Sequence, residues 1–292
     1  MTAMGSIMLI VLDKSAIVAA PWRVLLDLRQ QFRFLTTDML LHEIATEGLQ
    51  EVKTLTMSDM TRLTNRIALT LAKAKEVSDS WFERYHALTW EIVQGESSRQ
   101  APQLQIPRVT VEEMLQLVHS EPEELLRQDE AMAQLSAFVH APEDEETFRK
   151  LRRLTRSQML DFLDEHFANP QTHSICAREA LVEFSALWRT LGHSISPRFL
   201  PDRSWLTYGI ALTNRAFLVW KFCRFGDAAA DSKKPENAIY DNFYVAAMAC
   251  ADGILSADTN LLELAWVCWP EKRDAILQFN QQSKTPEQFR PT

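Results

Sequence analysis

Ile7-Met-Leu-Ile-Val-Leu12 is a continuous run of six apolar residues that ends at Asp13 and Lys14. A strand inside a parallel sheet is covered on both faces and reads as such a run, whereas a half-exposed strand alternates. The run is too short for a membrane span, which takes about 20 residues. Ala16 to Arg29 then reads as a helix with apolar positions at Trp22, Leu25, Leu26 and Leu28. Phe32 to Leu35 is a second short strand. Thr36-Thr37 can cap a helix from Asp38 to about Glu47, ended near Gly48. Strand, helix, strand, helix is the opening of an α/β fold.

The far end repeats this grammar. Tyr240 to Ala251 reads as an alanine-rich helix, Asp252-Gly253 as a turn, and Ile254 to Ala257 as a short strand that stops at Asp258. Asn260 to Trp269 is a further helix, stopped by Pro270, and Ala275 to Phe279 fits a last strand or a helix equally well. Between the two ends, apolar residues such as Met60, Leu63, Ile67, Leu71 and Ala74 recur at helical spacing. Helices are expected at about 58–93, 111–119, 122–140, 143–167, 174–191 and 203–225. The expected fold class is therefore α/β. Residues 1–55 and 236–292 form the two halves of a small parallel-sheet core, and 56–235 form a large all-α insertion.

Only 7 glycines occur in 292 residues, where typical usage would give roughly twenty, as suits a mostly helical chain. The net charge of −8 argues against a general nucleic-acid coat protein, which draws its affinity from basic residues. It does not exclude a nuclease, whose metal ions supply positive charge at the scissile phosphate. Cys176, Cys223, Cys250 and Cys268 have no zinc-like spacing and read as reduced core residues. With no signal peptide or membrane helix legible, a cytoplasmic protein without a membrane partner is expected.

Acids placed just beyond strand ends are where open parallel sheets bind ligands. Asp13 and Asp258 stand there, Glu43 lies on the helix after the second strand, and Asp241 starts the helix that leads back to Asp258. Four carboxylates within about 4–6 Å would raise one another's pKa unless a cation intervened. A hard ion such as Mg²⁺ or Mn²⁺ takes oxygen ligands and keeps waters that a phosphate can replace. Asp252 is read as turn chemistry, Asp38 as help for a helix N-terminus, and His42 as facing away from Glu43.

Three stretches resemble the PIN family of metal-dependent nucleases. Val11-Leu-Asp-Lys-Ser-Ala-Ile-Val18 is similar to its opening motif of strand, Asp, any residue, and Ser or Thr. Phe34-Leu-Thr-Thr-Asp-Met-Leu-Leu-His-Glu-Ile44 resembles the second, a helix carrying a Glu. Tyr240 to Asp258 resembles the third, an Asp, an alanine-rich helix, a turn, a short strand and Thr/Ser-x-Asp. The resemblance implies Asp13, Glu43, Asp241 and Asp258 as catalytic metal ligands, with Ser15 and Ser256 as supporting hydroxyls. It further implies a Mg²⁺- or Mn²⁺-dependent endoribonuclease, in a family that often serves as toxins or defence effectors. A large helical module would suit recognition of one RNA, such as a tRNA, or control by a protein partner.

Arg215, Arg224, Lys233 and Lys234 lie in a basic stretch that leads to Asp241 and are the expected contacts for a nucleic-acid backbone. The run Arg149 to Arg156 follows Glu143 to Glu146 and reads first as a self-paired helix face. Two other functions fit the residues: a structure-specific DNA nuclease using the same acids, and a non-catalytic PIN-like scaffold that binds a protein partner.

Overall fold

The computed structural model describes residues 7–37, 39–40, 43–44, 57–77, 154–190, 202–225 and 235–291. Helix predominates among them, beside a small mixed sheet of five strands. The chain forms two compact units. The first draws on Met1–Pro122, Cys250–Leu262 and Lys272–Phe289, and the second on Glu123–Ala249, Glu263–Glu271 and Arg290–Thr292.

The first unit holds the sheet. Its strands are β1 (Met8–Leu12), β2 (Phe32–Leu35), β3 (Gly253–Ser256), β4 (Ile276–Phe279) and β5 (Pro286–Gln288), in the order β2-β1-β3-β4-β5. β1 pairs in parallel with both β2 and β3, opposite Leu35 at Val11 and opposite Leu255 at Leu12. The apolar run is thus a central strand, with Ile10, Val11 and Leu12 fully buried. β4 is parallel to β3, so Ile276 to Phe279 is strand and not helix. β5 pairs antiparallel with β4, so the small sheet expected to be parallel is a mixed one. Gly253 starts β3 where a Cβ would lie 2.1 Å from the Ala275 carbonyl oxygen. Only glycine permits so close an approach.

Helices α1 (Lys14–Ala19) and α2 (Trp22–Arg29) replace the single helix expected over 16–29. The break has a plain cause. Ala20 precedes Pro21 and is held extended, at φ −78° and ψ 135°, because the proline ring excludes the helical region there. Helix α3 (Met57–Val77) packs on both, and Lys73 donates to the carbonyls of Ile17 and Ala20 at 3.1 and 3.0 Å. A cation thereby satisfies carbonyls left open at the end of α1.

The second unit is helical: α4 (Arg156–Ala168), α5 (Pro170–Thr190), α6 (Leu206–Phe225) and α7 (Pro235–Ala246). α4 opens on a capping box between Thr155 and Gln158. α6 packs on α5 and α7, and its Ala211, Leu212, Ala216, Phe217 and Trp220 are buried. Gly209 lets α7 approach, since a Cβ there would sit 2.5 Å from the Ala246 carbonyl oxygen. Helix α8 (Thr259–Cys268) begins in the first unit and ends in the second. Cys176 and Cys268 are buried and Cys250 half-buried, none of them in a disulfide bond, with burial raising every one of the three thiol pKa values. None is a ready nucleophile. Among the described residues no helix is long and apolar enough to cross a membrane.

Candidate active site

The chain leaves β1 to one side for β2, while its other neighbour is β3, so the strand order reverses between β1 and β3. Crevices beyond the carboxyl ends of strands at such a reversal are where open α/β sheets bind ligands. Asp13 follows β1 directly, Ser256 ends β3, and Asp258 stands two residues on. Parallel pairing of Leu12 with Leu255 brings the two strand ends side by side, and the Asp13 amide donates to the Leu255 carbonyl at 3.1 Å.

Asp13 is 4% exposed and caps α1. Its Oδ2 accepts from the Ser15 amide at 3.2 Å, from the Ser15 hydroxyl, and from the Ser256 hydroxyl at 2.6 Å. Ser15 Oγ and Ser256 Oγ are 2.9 Å apart, Ser15 Oγ also accepts from the Ala257 amide at 2.9 Å, and Ser256 Oγ accepts from the Asp258 amide at 2.9 Å. The two hydroxyls thus lock the ends of β1 and β3 to one carboxylate oxygen. Oδ1 receives no hydrogen bond from the described residues.

Asp258 caps α8, with Oδ1 accepting from the Asn260 amide at 2.7 Å and the Leu261 amide at 3.4 Å. Glu43 sits on the helical residues that follow β2, where the Thr37 hydroxyl accepts from the Leu40 amide at 3.3 Å as the expected cap. Its Oε1 meets Lys14 Nζ at 3.0 Å, both side chains being largely covered.

Burial is the main cause that pushes the Asp13 carboxyl up from 3.8 to about 6. The Ser15 and Ser256 hydrogen bonds oppose it, and the negative charges of Glu43 and Asp258 add to it. The charges of Glu43 and Asp258 therefore both reach Asp13 at the end of the sheet. Asp241 is half-buried on α7 and belongs to the second unit. Among the described residues no three His, Cys, Asp or Glu are gathered closely enough to hold a metal ion as they stand.

Asp252 donates its backbone amide to the Leu9 carbonyl at 2.8 Å and accepts the Leu9 amide on Oδ2 at 2.7 Å. It fastens the turn before β3 to β1, the structural part expected of it. Arg215 forms an ion pair with Glu179, and Arg156 pairs at 2.7 Å with Glu263. Arg224 is on α6, its side chain outside the described residues, as are Lys233, Lys234, Asp38, His42, Glu143 to Glu146 and 149–153.

Two ion pairs, Lys14–Glu43 and Arg156–Glu263, are not legible in the sequence pattern. Lys14 stands at the motif position open to any residue, so nothing local marks its partner 29 residues on. Glu263 carried a signal, a lone acid inside the apolar run Leu261 to Trp266. Comparison of the chain with family models, curated proteins and solved structures yields no match.

Proposed function

We propose that this chain is a PIN-type nuclease that hydrolyses RNA phosphodiester bonds with Mg²⁺ or Mn²⁺, held by Asp13, Glu43 and Asp258. One observation carries the reading. A buried carboxylate stands at the strand-order reversal, with two further acids raising its pKa and one oxygen that receives no hydrogen bond from the described residues. Such a donor set is all oxygen and suits a hard dication. The metal supplies an activated water and charge for the phosphate. Ser15 and Ser256 fix the Asp13 carboxylate by Oδ2, and Oδ1 receives no hydrogen bond from the described residues. Asp258 is aimed by the α8 backbone, and Glu43 approaches from the β2 side. Asp241 joins the set on motif order alone, and an Asp241→Asn variant tests that assignment.

The Lys14–Glu43 pair at 3.0 Å favours a second reading, a PIN-like scaffold whose acids are neutralised internally. Incubation of parent and Asp13→Asn with single-stranded RNA and DNA in millimolar Mn²⁺ separates the readings. The expected result is RNA cleavage by the parent and a loss of at least about a hundredfold in the variant, each tenfold being 1.36 kcal/mol of barrier. Mn²⁺ should also raise the parent Tm by about 4–5 °C, since a hundredfold excess over Kd stabilises by about 2.7 kcal/mol. Equal Mn²⁺ responses and no cleavage in either protein would leave the scaffold.

A further inference from the structure

The acids at the end of the sheet already hold one cation. Lys14 is the first residue of α1, and its Nζ crosses to Glu43 Oε1, 29 residues away, at 3.0 Å. The side chains of the pair are 18% and 20% exposed, so the contact is shielded and not a loose surface pairing. A lysine at the start of a helix is also a choice against the helix dipole, which favours anions there. Local choices that break such a rule concentrate where function demands them.

We infer that Lys14 is a displaceable counter-ion: it holds Glu43 in the metal-free protein and turns to the substrate phosphate once a divalent ion takes Glu43. This rests on the nuclease reading. An ammonium and a dication cannot share Glu43 without conflict. If Lys14 stayed beside Glu43, it would repel the arriving ion and block one carboxylate oxygen. A unit charge and a dication roughly 6 Å apart repel by about 1.4 kcal/mol even at the dielectric of water, a factor of ten in Kd. The released ammonium carries three donors on a flexible stem, and anionic oxygen is its natural partner in a site whose acids are then held by metal. Lys14 is thus a positioning and substrate-holding residue. It sets the metal affinity low when no RNA is present and couples metal uptake to RNA uptake.

The experiment uses the full chain and Mn²⁺ alone as the first probe. Calorimetric titration of the parent, Lys14→Met and Lys14→Arg measures Mn²⁺ affinity directly. Lys14→Met keeps the apolar stem and removes the charge, so its Kd for Mn²⁺ should fall by up to about tenfold, the factor for a lysine that never moved, because the parent escapes that repulsion only by giving up Glu43. Lys14→Arg should stay near the parent. With Mg²⁺ present, binding of a single-stranded RNA should weaken in Lys14→Met and lose about one unit of salt slope. A readout on the unaltered protein guards against a variant that does not fold. Acetylation of Lys14, followed by mass spectrometry, should quicken several-fold when Mg²⁺ is added. Mn²⁺ affinity unchanged or weaker in Lys14→Met, or a Lys14 acetylation rate indifferent to Mg²⁺, overturns the counter-ion with the nuclease reading intact. A parent that binds no Mn²⁺ overturns both.

Discussion

Glu263 on α8 and Asp13 after β1 are both buried acids, 0% and 4% exposed, but their surroundings differ. Glu263 receives Arg156 Nε at 2.7 Å and Trp220 Nε1 at 3.3 Å, so its charge is met by a cation. Asp13 receives only an amide and two hydroxyls from the described residues, and the charges that reach it from Glu43 and Asp258 are of its own sign. Structural buried carboxylates are paired, because an uncompensated buried charge costs several kcal/mol. Among the described residues Glu263 follows that rule and Asp13 breaks it. A cation supplied from outside would restore the balance, which is why the sheet end and not the Glu263 pair is the functional candidate.

The largest test of this contrast is pH. The folded Asp13 pKa of about 6 lies above its ordinary 3.8, so between those values the folded chain keeps a proton that the unfolded chain has released. Stability must then fall as pH rises through that window, by at most about 3 kcal/mol at 1.36 kcal/mol per unit. The effect is complete above about pH 7 and absent below about pH 4. Asn cannot titrate. In chelator, urea melts of Asp13→Asn against the parent should therefore show a difference that grows in favour of the variant from pH 4 to 6.5 and then levels. A constant difference would mean that Asp13 is as well compensated as Glu263, and the contrast would collapse.

How much of this contrast was legible beforehand depends on the range of the forces involved. β1 and β3 announce themselves as apolar runs that end in acids, because burial on both faces of a parallel strand leaves no room for polar residues. Asp13, Ser15, Ser256 and Asp258 follow from those ends, so their meeting was readable once the strands were. The break at Pro21 was overlooked because the apolar spacing runs on through Trp22 and Leu25, although the proline itself was the signal. β5 is three residues of Pro, Glu and Gln at the sheet edge, held by backbone pairing with β4 and carrying no apolar pattern. The cations were the least visible part. Lys14–Glu43 and Arg156–Glu263 join residues 29 and 107 positions apart, and only the packed fold selects such partners.

Removing the cation from the compensated acid should be the next largest effect. Arg156→Met keeps most of the stem and leaves Glu263 buried without the charge that meets it. Breaking a buried pair costs about 3–5 kcal/mol, but the Arg156 side chain is 39% exposed and part of that is already screened by water. A loss of about 2–3 kcal/mol is expected in denaturant melts at pH 7. The double variant Arg156→Met, Glu263→Leu should recover much of it, because an apolar replacement removes the stranded charge. No recovery would show that the pair serves packing along α4 and α8 more than charge balance.

The smallest effect compares the neutral donors of the two acids. Ser256→Ala deletes the 2.6 Å bond to Asp13 Oδ2 and strands the Asp258 amide, which now donates to Ser256 Oγ at 2.9 Å. Trp220→Phe deletes a single 3.3 Å bond to Glu263, whose cation stays in place. Hydrogen bonds to charged groups are worth about 1.5–3 kcal/mol and long ones less, so Ser256→Ala should cost about 1–2 kcal/mol and Trp220→Phe under about 1. The sharper distinction lies in where each cost appears on the pH axis. Ser256 lowers the Asp13 pKa, so its removal should push that pKa further up and move the stability window described above to higher pH. In Trp220→Phe the cost should be the same at pH 5 and pH 8, since Arg156 still meets the Glu263 charge. Melts of both variants at those two pH values decide it. A pH-independent cost in Ser256→Ala would make Ser256 an ordinary strand-end hydroxyl and leave Asp13 without the tuned hydrogen bonding that the nuclease reading gives it.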